Sequence, residues 1–166
     1  EGVFVNALVA VVEGDDGYEG VYEHAFPIMR KHGVGGTLYA AAGCVKGRVV
    51  PWWAQINYIV SNLKPPIELD LGDCGVLSLG DEDCRAVRAG HILSRTLGAD
   101  RSIHRIHDFV RKLSSASGIR VPGGMYDALM LSRDQVGELA EYGMEIGGHG
   151  FWHLRLPSLR ESEVYE

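Results

Sequence analysis

The first 41 residues show a strand–helix–strand order, and this order constrains the fold more than any other feature of the sequence. Residues 4–12 are apolar and rich in valine, and a Gly/Asp cluster follows at 13–17, which predicts a buried strand that leads into a loop. A helix is predicted at 27–32, ended by Gly33, and a second strand at 37–41. Two strands joined by a helix within this length form a parallel βαβ unit, so we expect an α/β fold.

The same order returns near the end of the chain. Ser132 and Gln135 are spaced as a capping box, because Gln at the third helical position can reach back to the cap amide. The helix that they start is expected to end at Gly143. A short strand at 144–148 then opens into a histidine-containing segment. A second capping box at Ser158 predicts the start of a further helix.

The middle of the chain has a mixed pattern, which we interpret as an insertion at about 46–130 between the two βα regions. Its alternating segments predict a hairpin, and its three- to four-residue apolar spacing predicts helices. The predicted elements are a helix that opens at Pro51, strands at 67–71 and 76–79, helices at 81–98 and after Ser102, and a loop at 114–124.

Composition excludes several classes of protein. The 166 residues carry 16 Lys and Arg against 22 Asp and Glu, a formal charge of -6, which argues against binding to a nucleic-acid backbone. No apolar run approaches the roughly 18 residues of a membrane span, and no signal peptide is visible. The three cysteines, Cys44, Cys74 and Cys84, are irregularly spaced and are expected to be free thiols. The compartment stays open.

Two adjacent carboxylates, Asp15 and Asp16, follow the first predicted strand and precede Gly17. Ligand sites of parallel α/β folds lie at this end of the sheet. One of the two side chains could bind a cation while the other stays free as a base. The alternative is an Asp-Gly turn with solvated acids, since both residue types favour turns.

Two histidines four residues apart, His149 and His153, follow the last predicted strand. This spacing suits one metal ion, although one surface and one hydrogen-bonded histidine would give the same pattern. Together with Asp16 they offer two imidazoles and a carboxylate, which leaves coordination positions open, as in catalytic metal sites. The same donor set also occurs in non-haem iron oxygenases, so metal type and reaction remain open on these residues alone.

Other candidates are weaker. His104 and His107 are three apart on a predicted helix, and we assign them to its solvent face. Trp52 and Trp53 could form a platform for a sugar ring, but core packing is the simpler interpretation.

The chain resembles polysaccharide deacetylases of the NodB-homology type (carbohydrate esterase family four). In that family a strand ends in Asp-Asp-Gly, similar to residues 15–17, and a later His-Ser/Thr-x-x-His is similar to residues 149–153. The segments flanking both motifs are similar as well. The resemblance covers roughly residues 7–45 and 129–166, and the two motifs occur in the family's order.

The resemblance implies a distorted (β/α) barrel, present here as a partial barrel in the N-terminal part of the domain. It implies that Asp15 is the general base, and that Asp16, His149 and His153 bind a divalent metal, usually zinc. The implied activity is hydrolysis of N-acetyl (or O-acetyl) groups on a polysaccharide or amino sugar, a hydrolase reaction on a non-peptide carbon–nitrogen bond. The implied partner is an N-acetylated polysaccharide or oligosaccharide.

The sequence also departs from the family pattern. Gly14 and Gly150 replace a Phe and a Ser/Thr, and Leu154 stands where a Pro is usual. The later family motifs, which carry an Arg, an apolar wall and a His that acts as general acid, would lie beyond Glu166. We therefore expect this chain alone to bind metal poorly and to be inactive. The alternative is a catalytically silent carbohydrate-binding or scaffold relative.

Overall fold

The computed structural model describes residues 12–80, 92–93, 96–97, 102–155, 157, 159 and 161, and these residues form a mixed α/β structure. A π-helical turn, Val21–Ala25, precedes the first helix, and a 3₁₀ turn, Gly72–Cys74, joins two strands. The strands are β1 (Val12–Asp16), β2 (Gly36–Ala40), β3 (Ile67–Asp70), β4 (Val76–Leu79) and β5 (Glu145–Gly148). The helices are α1 (Phe26–His32), α2 (Ala42–Gly47), α3 (Trp52–Ser61), α4 (Ile103–Ser117) and α5 (Arg133–Tyr142).

Three parallel strands form the main sheet, in the order β1-β2-β5. The predicted α/β class and the parallel β1-α1-β2 unit are therefore confirmed. Within the described ranges this sheet does not close into a barrel. The carboxyl ends of its strands lie at one edge, where Asp16 ends β1 and His149 follows β5.

The prediction that residues 13–17 form a loop is wrong for all but the last of them. β1 runs through Asp16, and its register pairs Glu13 with Thr37 and Asp16 with Ala40. Pairing with β2 therefore outweighs the turn preference of Gly and Asp. Side chains alternate along a strand, which places Glu13 and Asp15 on the exposed face. The predicted strand at 4–12 lies outside the described residues, except for Val12.

Helix boundaries differ from prediction in three places. Helical structure starts at Val21 rather than at Pro27, and α2 was not predicted. The predicted loop at 114–124 is wrong over its first four residues, because α4 continues to Ser117. The Ser114 hydroxyl donates to the Ile119 carbonyl (2.7 Å) beyond the helix end, and Gly118 (φ 70°) ends the helix in a left-handed conformation.

The predicted capping box is confirmed. The Gln135 amide N–H donates to the Ser132 hydroxyl (3.1 Å), and the Ser132 N–H donates to the Gln135 side chain (2.8 Å). Gly143 adopts a left-handed conformation after Tyr142, as expected for a helix end. The chain then enters β5 after this short connection, and β5 leads into the segment that contains His149 and His153.

The middle segment of the chain has a core of its own. β3 and β4 form the predicted antiparallel hairpin, and α3 and α4 pack beside it. Of the predicted helix at 81–98 the structure describes four residues, and Ile92, Leu93 and Leu97 among them are helical and buried in this core. The rest of that helix, and nearly all of the one predicted from Ser158, lies outside the described residues.

A second, smaller core packs α1 and α5 against the parallel sheet through Phe26, Met29 and Leu38. Cys44 and Cys74 are free and buried, in line with the prediction, and Cys84 lies outside the described residues. No helix in the described ranges has the length and apolar character needed to span a bilayer.

Candidate metal centre

The backbone brings the two predicted motifs together at the carboxyl ends of the parallel strands. The Ala41 N–H donates to the Asp16 carbonyl (3.3 Å), and the His149 N–H donates to the Ala40 carbonyl (2.8 Å). The chain leaving β2 therefore holds both the end of β1 and the start of the histidine segment. This arrangement follows from the strand order, because β2 lies between β1 and β5.

The start of α2 holds the loop between the two histidines. The Ala42 N–H donates to the Gly150 carbonyl (3.1 Å), and the Gly43 N–H donates to the Phe151 carbonyl (2.7 Å). A Cβ at position 43 would lie 2.6 Å from that Phe151 oxygen, closer than atoms can approach. Glycine at position 43 is therefore required for the loop to come this near to the helix.

Asp16, His149 and His153 form one compact group. The Asp16 Oδ1 atom lies 3.5 Å from the His149 Nε2 atom and 3.2 Å from the His153 Nε2 atom. The two imidazole ring centres are 4.6 Å apart. The side chains are 20%, 34% and 38% exposed, respectively, so an ion or substrate can reach the group from solvent.

The Asp16 carboxylate is incompletely satisfied. Its Oδ1 atom is buried, yet no described residue donates a hydrogen bond to it. Zinc ligands at about 2.0–2.2 Å with tetrahedral angles lie roughly 3.3–3.5 Å from one another. The two oxygen–nitrogen distances, 3.5 and 3.2 Å, are close to this spacing, so the three side chains could hold one divalent ion with a coordination position left open.

Backbone strain is concentrated at this group. Asp16 has a φ of 69° and His153 a φ of 54°, in the left-handed region that residues other than glycine rarely adopt. Such conformations cost about 1–3 kcal/mol each and cluster at functional sites. Two of the three residues of the group are held in this way, which favours a functional role over a chance cluster.

Trp53 is a neighbour that sequence reasoning did not connect with the site. Its ring centre lies 4.7 Å from that of His153, and its Nε1 atom donates to the Tyr18 hydroxyl (2.7 Å). The adjacent Trp52 donates to the Trp152 carbonyl (3.0 Å). Both tryptophans are half-buried and pack against the core of α3, α4 and the hairpin, in line with the core-packing interpretation. The pair also contacts the histidine segment. Because the tryptophans lie 100 residues before the histidine segment, no local sequence pattern indicates this contact.

Two side chains near Asp16, those of Tyr18 and Cys44, have raised pKa values. Burial raises the pKa of Tyr18, and the charge of Asp16 raises it further, while the Trp53 hydrogen bond opposes the shift. Burial and the Asp16 charge raise the pKa of the Cys44 thiol to about 11. Cys44 is therefore a thiol at neutral pH and is not prepared to bind a metal as thiolate.

Asp15 lies outside the group. It is exposed on β1, on the opposite side of the strand from Asp16. The structure thus brings three of the four predicted site residues together, and the role of Asp15 as general base stays a prediction.

A second group with metal-binding residue types, Asp73, Cys74 and Asp108, was not anticipated from the sequence. A cation of the chain already occupies it. The Lys112 ammonium is paired with Asp73 and lies 2.7 Å from the Asp108 carboxylate and 3.8 Å from the Cys74 sulfur. Its hydrogen bonds lower the pKa of both carboxyls, and those from Arg105 and Arg111 add to this.

No family model matches the chain, and comparisons with curated proteins and with solved structures find no match. Functional assignment therefore depends on the geometry of the site and on the sequence motifs.

Proposed function

We propose that this chain belongs to a metal-dependent hydrolase that removes acetyl groups from an N-acetylated polysaccharide or oligosaccharide. The observation that carries the proposal is the Asp16–His149–His153 group, with its buried and unpartnered carboxylate oxygen. Two imidazoles and one carboxylate, with a position left open, are the donor set of hydrolytic zinc sites. The resemblance of residues 15–17 and 149–153 to the deacetylase motifs supplies the reaction type.

The three residues of the group would hold the ion, zinc by the chemistry of the donors. When bound, zinc lowers the pKa of a water ligand and polarises a carbonyl group. Asp15 would accept the proton of the attacking water, which requires its side chain to turn from the exposed face of β1 toward the group of three. Trp53 would keep the His153 ring oriented through the tilted contact between the two rings.

We further propose that the three parallel strands belong to a distorted (β/α) barrel of the NodB type, with the insertion at 46–130 packed beside it. The parallel order β1-β2-β5 and the location of the site at the strand ends support this assignment. The separate core of β3, β4, α3 and α4 supports treating the middle segment as an insertion.

Acetate release tests the proposed activity. The full-length protein, loaded with zinc, should release acetate from a chitooligosaccharide, and removal of the metal by a chelator should abolish the release. Re-addition of zinc should restore it. The variant His149→Ala should be inactive, whereas His24→Ala, which alters an exposed histidine on the π-helical turn, should match the wild type. Acetate release that persists in metal-free protein would exclude the proposal.

A non-catalytic carbohydrate-binding relative is the second candidate, and the position of Asp15 favours it. The Asp15 carboxylate lies on the exposed face of β1, opposite Asp16, and outside the group of three. Gly150 also lacks the hydroxyl that the family motif carries at this position. This candidate predicts oligosaccharide binding without acetate release, so one assay separates the two functions.

A further inference from the structure

A cavity of about 380 Å³ lies between α3, α4 and the segment that follows α4. This volume is in the range of small-ligand sites. Its wall combines valine side chains with polar groups, of which Gln55 and Ser114 already donate to backbone carbonyls. The groups that remain to bind a ligand are His107, Arg111 and Arg120.

Two of the residues that line the cavity, Arg111 and Arg120, are arginines, and no described residue of the lining is acidic. Arg111 pairs with Asp108, which lies outside the lining and also pairs with Lys112. Arg120 adds a further charge, is exposed, and has no ion pair with any described residue. The cavity therefore attracts an anion, although the whole chain carries a charge of -6.

Trp152 connects this cavity with the candidate metal centre. The His107 ring on the cavity wall meets the Trp152 ring edge to face, with 5.5 Å between centres. Trp152 directly precedes His153, and its carbonyl accepts a hydrogen bond from the Trp52 indole. Trp152 therefore adjoins both the His107 side of the cavity wall and the histidine segment of the metal centre.

We propose that the cavity binds the carboxylate of an acidic sugar unit in the same chain whose acetyl group lies at Asp16, His149 and His153. This inference rests on the proposed function, and it specifies the substrate as an acidic N-acetylated polysaccharide. The planar guanidinium groups of Arg111 and Arg120 match a carboxylate in geometry and charge. The exposed Arg111–Asp108 pair is weak enough to share its guanidinium with a ligand.

Calorimetry with two tetrasaccharides tests the proposal on the full-length protein. One alternates N-acetylglucosamine with glucuronate, and the other is the same compound with its carboxylates reduced to alcohols. The acidic compound should bind about tenfold more tightly at low salt, the effect expected of one charge-assisted contact. The difference should shrink as salt is raised.

Substitutions of the two cavity arginines test whether the cavity causes the preference for the acidic compound. Arg120→Gln and Arg111→Gln should each remove most of the preference for the acidic compound and leave affinity for the reduced compound unchanged. Arg133→Gln, which alters an exposed arginine that does not line the cavity, should keep the preference. Equal affinity for both compounds, or binding of neither, overturns the inference even if acetate is released.

The two proposals fail in distinguishable ways. His149→Ala removes a residue of the metal centre and should abolish acetate release while the preference for the acidic compound persists. A wild type that prefers the acidic compound through Arg120 but releases no acetate would refute the deacetylase function and support an acidic-sugar site. A wild type that releases acetate equally from both compounds, with equal affinity, would refute the acidic site alone.

Discussion

Two groups of acidic and metal-binding residue types occur in this chain, and they differ in how their charge is balanced. In the group at the strand ends, the buried Asp16 oxygen faces two imidazole nitrogens and accepts no hydrogen bond from a described residue. In the group between the 3₁₀ turn and α4, the Lys112 ammonium contacts Asp73, Cys74 and Asp108. A lysine of the chain balances the charge of the second group, whereas no described lysine or arginine pairs with Asp16 in the first.

The two groups also differ in backbone construction. The residues of the second group lie on a tight turn and one helix, in ordinary conformations. The first group is assembled from β1 and the loop after β5, and both Asp16 and His153 adopt positive φ values. Proximity of ligand-type residues is therefore weak evidence for a metal site. A buried oxygen without a hydrogen-bond donor and a strained backbone are stronger evidence for a functional site.

The largest expected effect is loss of metal from the first group. His149→Ala removes one of three ligands, so zinc affinity should fall by at least about 100-fold, more than outer contacts contribute. Equilibrium titration with zinc, or metal content after dialysis, measures this. Asp73→Asn in the second group is the matched control and should leave affinity unchanged. Equal zinc content in His149→Ala and wild type would contradict the distinction between the groups.

A smaller effect is expected at Trp53, which supports His153 without belonging to the group. Trp53→Ala removes the ring at 4.7 Å and should weaken zinc binding about tenfold, as loss of an outer contact does. Trp53→Phe keeps an aromatic ring but not the donor to Tyr18, and should retain most of the affinity. Loss of affinity in Trp53→Phe equal to that in Trp53→Ala would show that the ring contact is not what matters.

The fold could be predicted where local patterns and pairing agree. The capping box at Ser132, the helix at Trp52–Ser61 and the hairpin of β3 and β4 all follow from spacing that is visible in the sequence. The extent of β1 could not be predicted. Residues 13–16 have turn-forming composition, and they form a strand because they pair with residues of β2 that lie 24 positions further along the chain.

The sequence could predict which three residues come together at the strand ends, but not the contacts that support them. Asp16, His149 and His153 are recognisable because each follows an apolar strand and offers a metal-binding atom. The supporting role of Trp53 depends on the packing of α3 against the histidine loop. The requirement for glycine at position 43 likewise arises from one close approach to the Phe151 carbonyl. Neither contact has a signature in local sequence.

Gly43→Ala tests this backbone support. The added methyl group would meet the Phe151 carbonyl, so the loop between the histidines must shift, at a cost of about 1–3 kcal/mol. We expect zinc affinity to fall by a few-fold and Tm to decrease. Gly35→Ala is the control, because a Cβ there meets no atom within 4 Å. Unchanged zinc affinity in Gly43→Ala would show that α2 does not position the loop.

The smallest effect is expected at the second group, where Lys112 supplies the cation. Lys112→Ala should lower Tm at neutral pH by no more than about 4 °C, since its partners are partly exposed and screened by solvent. Lys64→Ala, at an exposed lysine after α3, should change Tm less. Thermal unfolding monitored by circular dichroism measures both.

The Tm difference between wild type and Lys112→Ala should depend on pH, and it should decrease in acid. Hydrogen bonds from Lys112 lower the pKa of Asp73 and Asp108 in the folded state. Their contribution to stability is therefore present above the unfolded pKa of about 3.9 and is lost as pH falls through the lower folded values. The pKa of Lys112 is raised by the same carboxylates, so its contribution is lost only in strong alkali. The Tm difference between wild type and Lys112→Ala should thus stay constant from about pH 5 to 9 and shrink as the pH falls below the unfolded pKa of about 3.9. A difference that does not shrink in acid would mean that Lys112 acts by packing, and that its charge does not balance the second group.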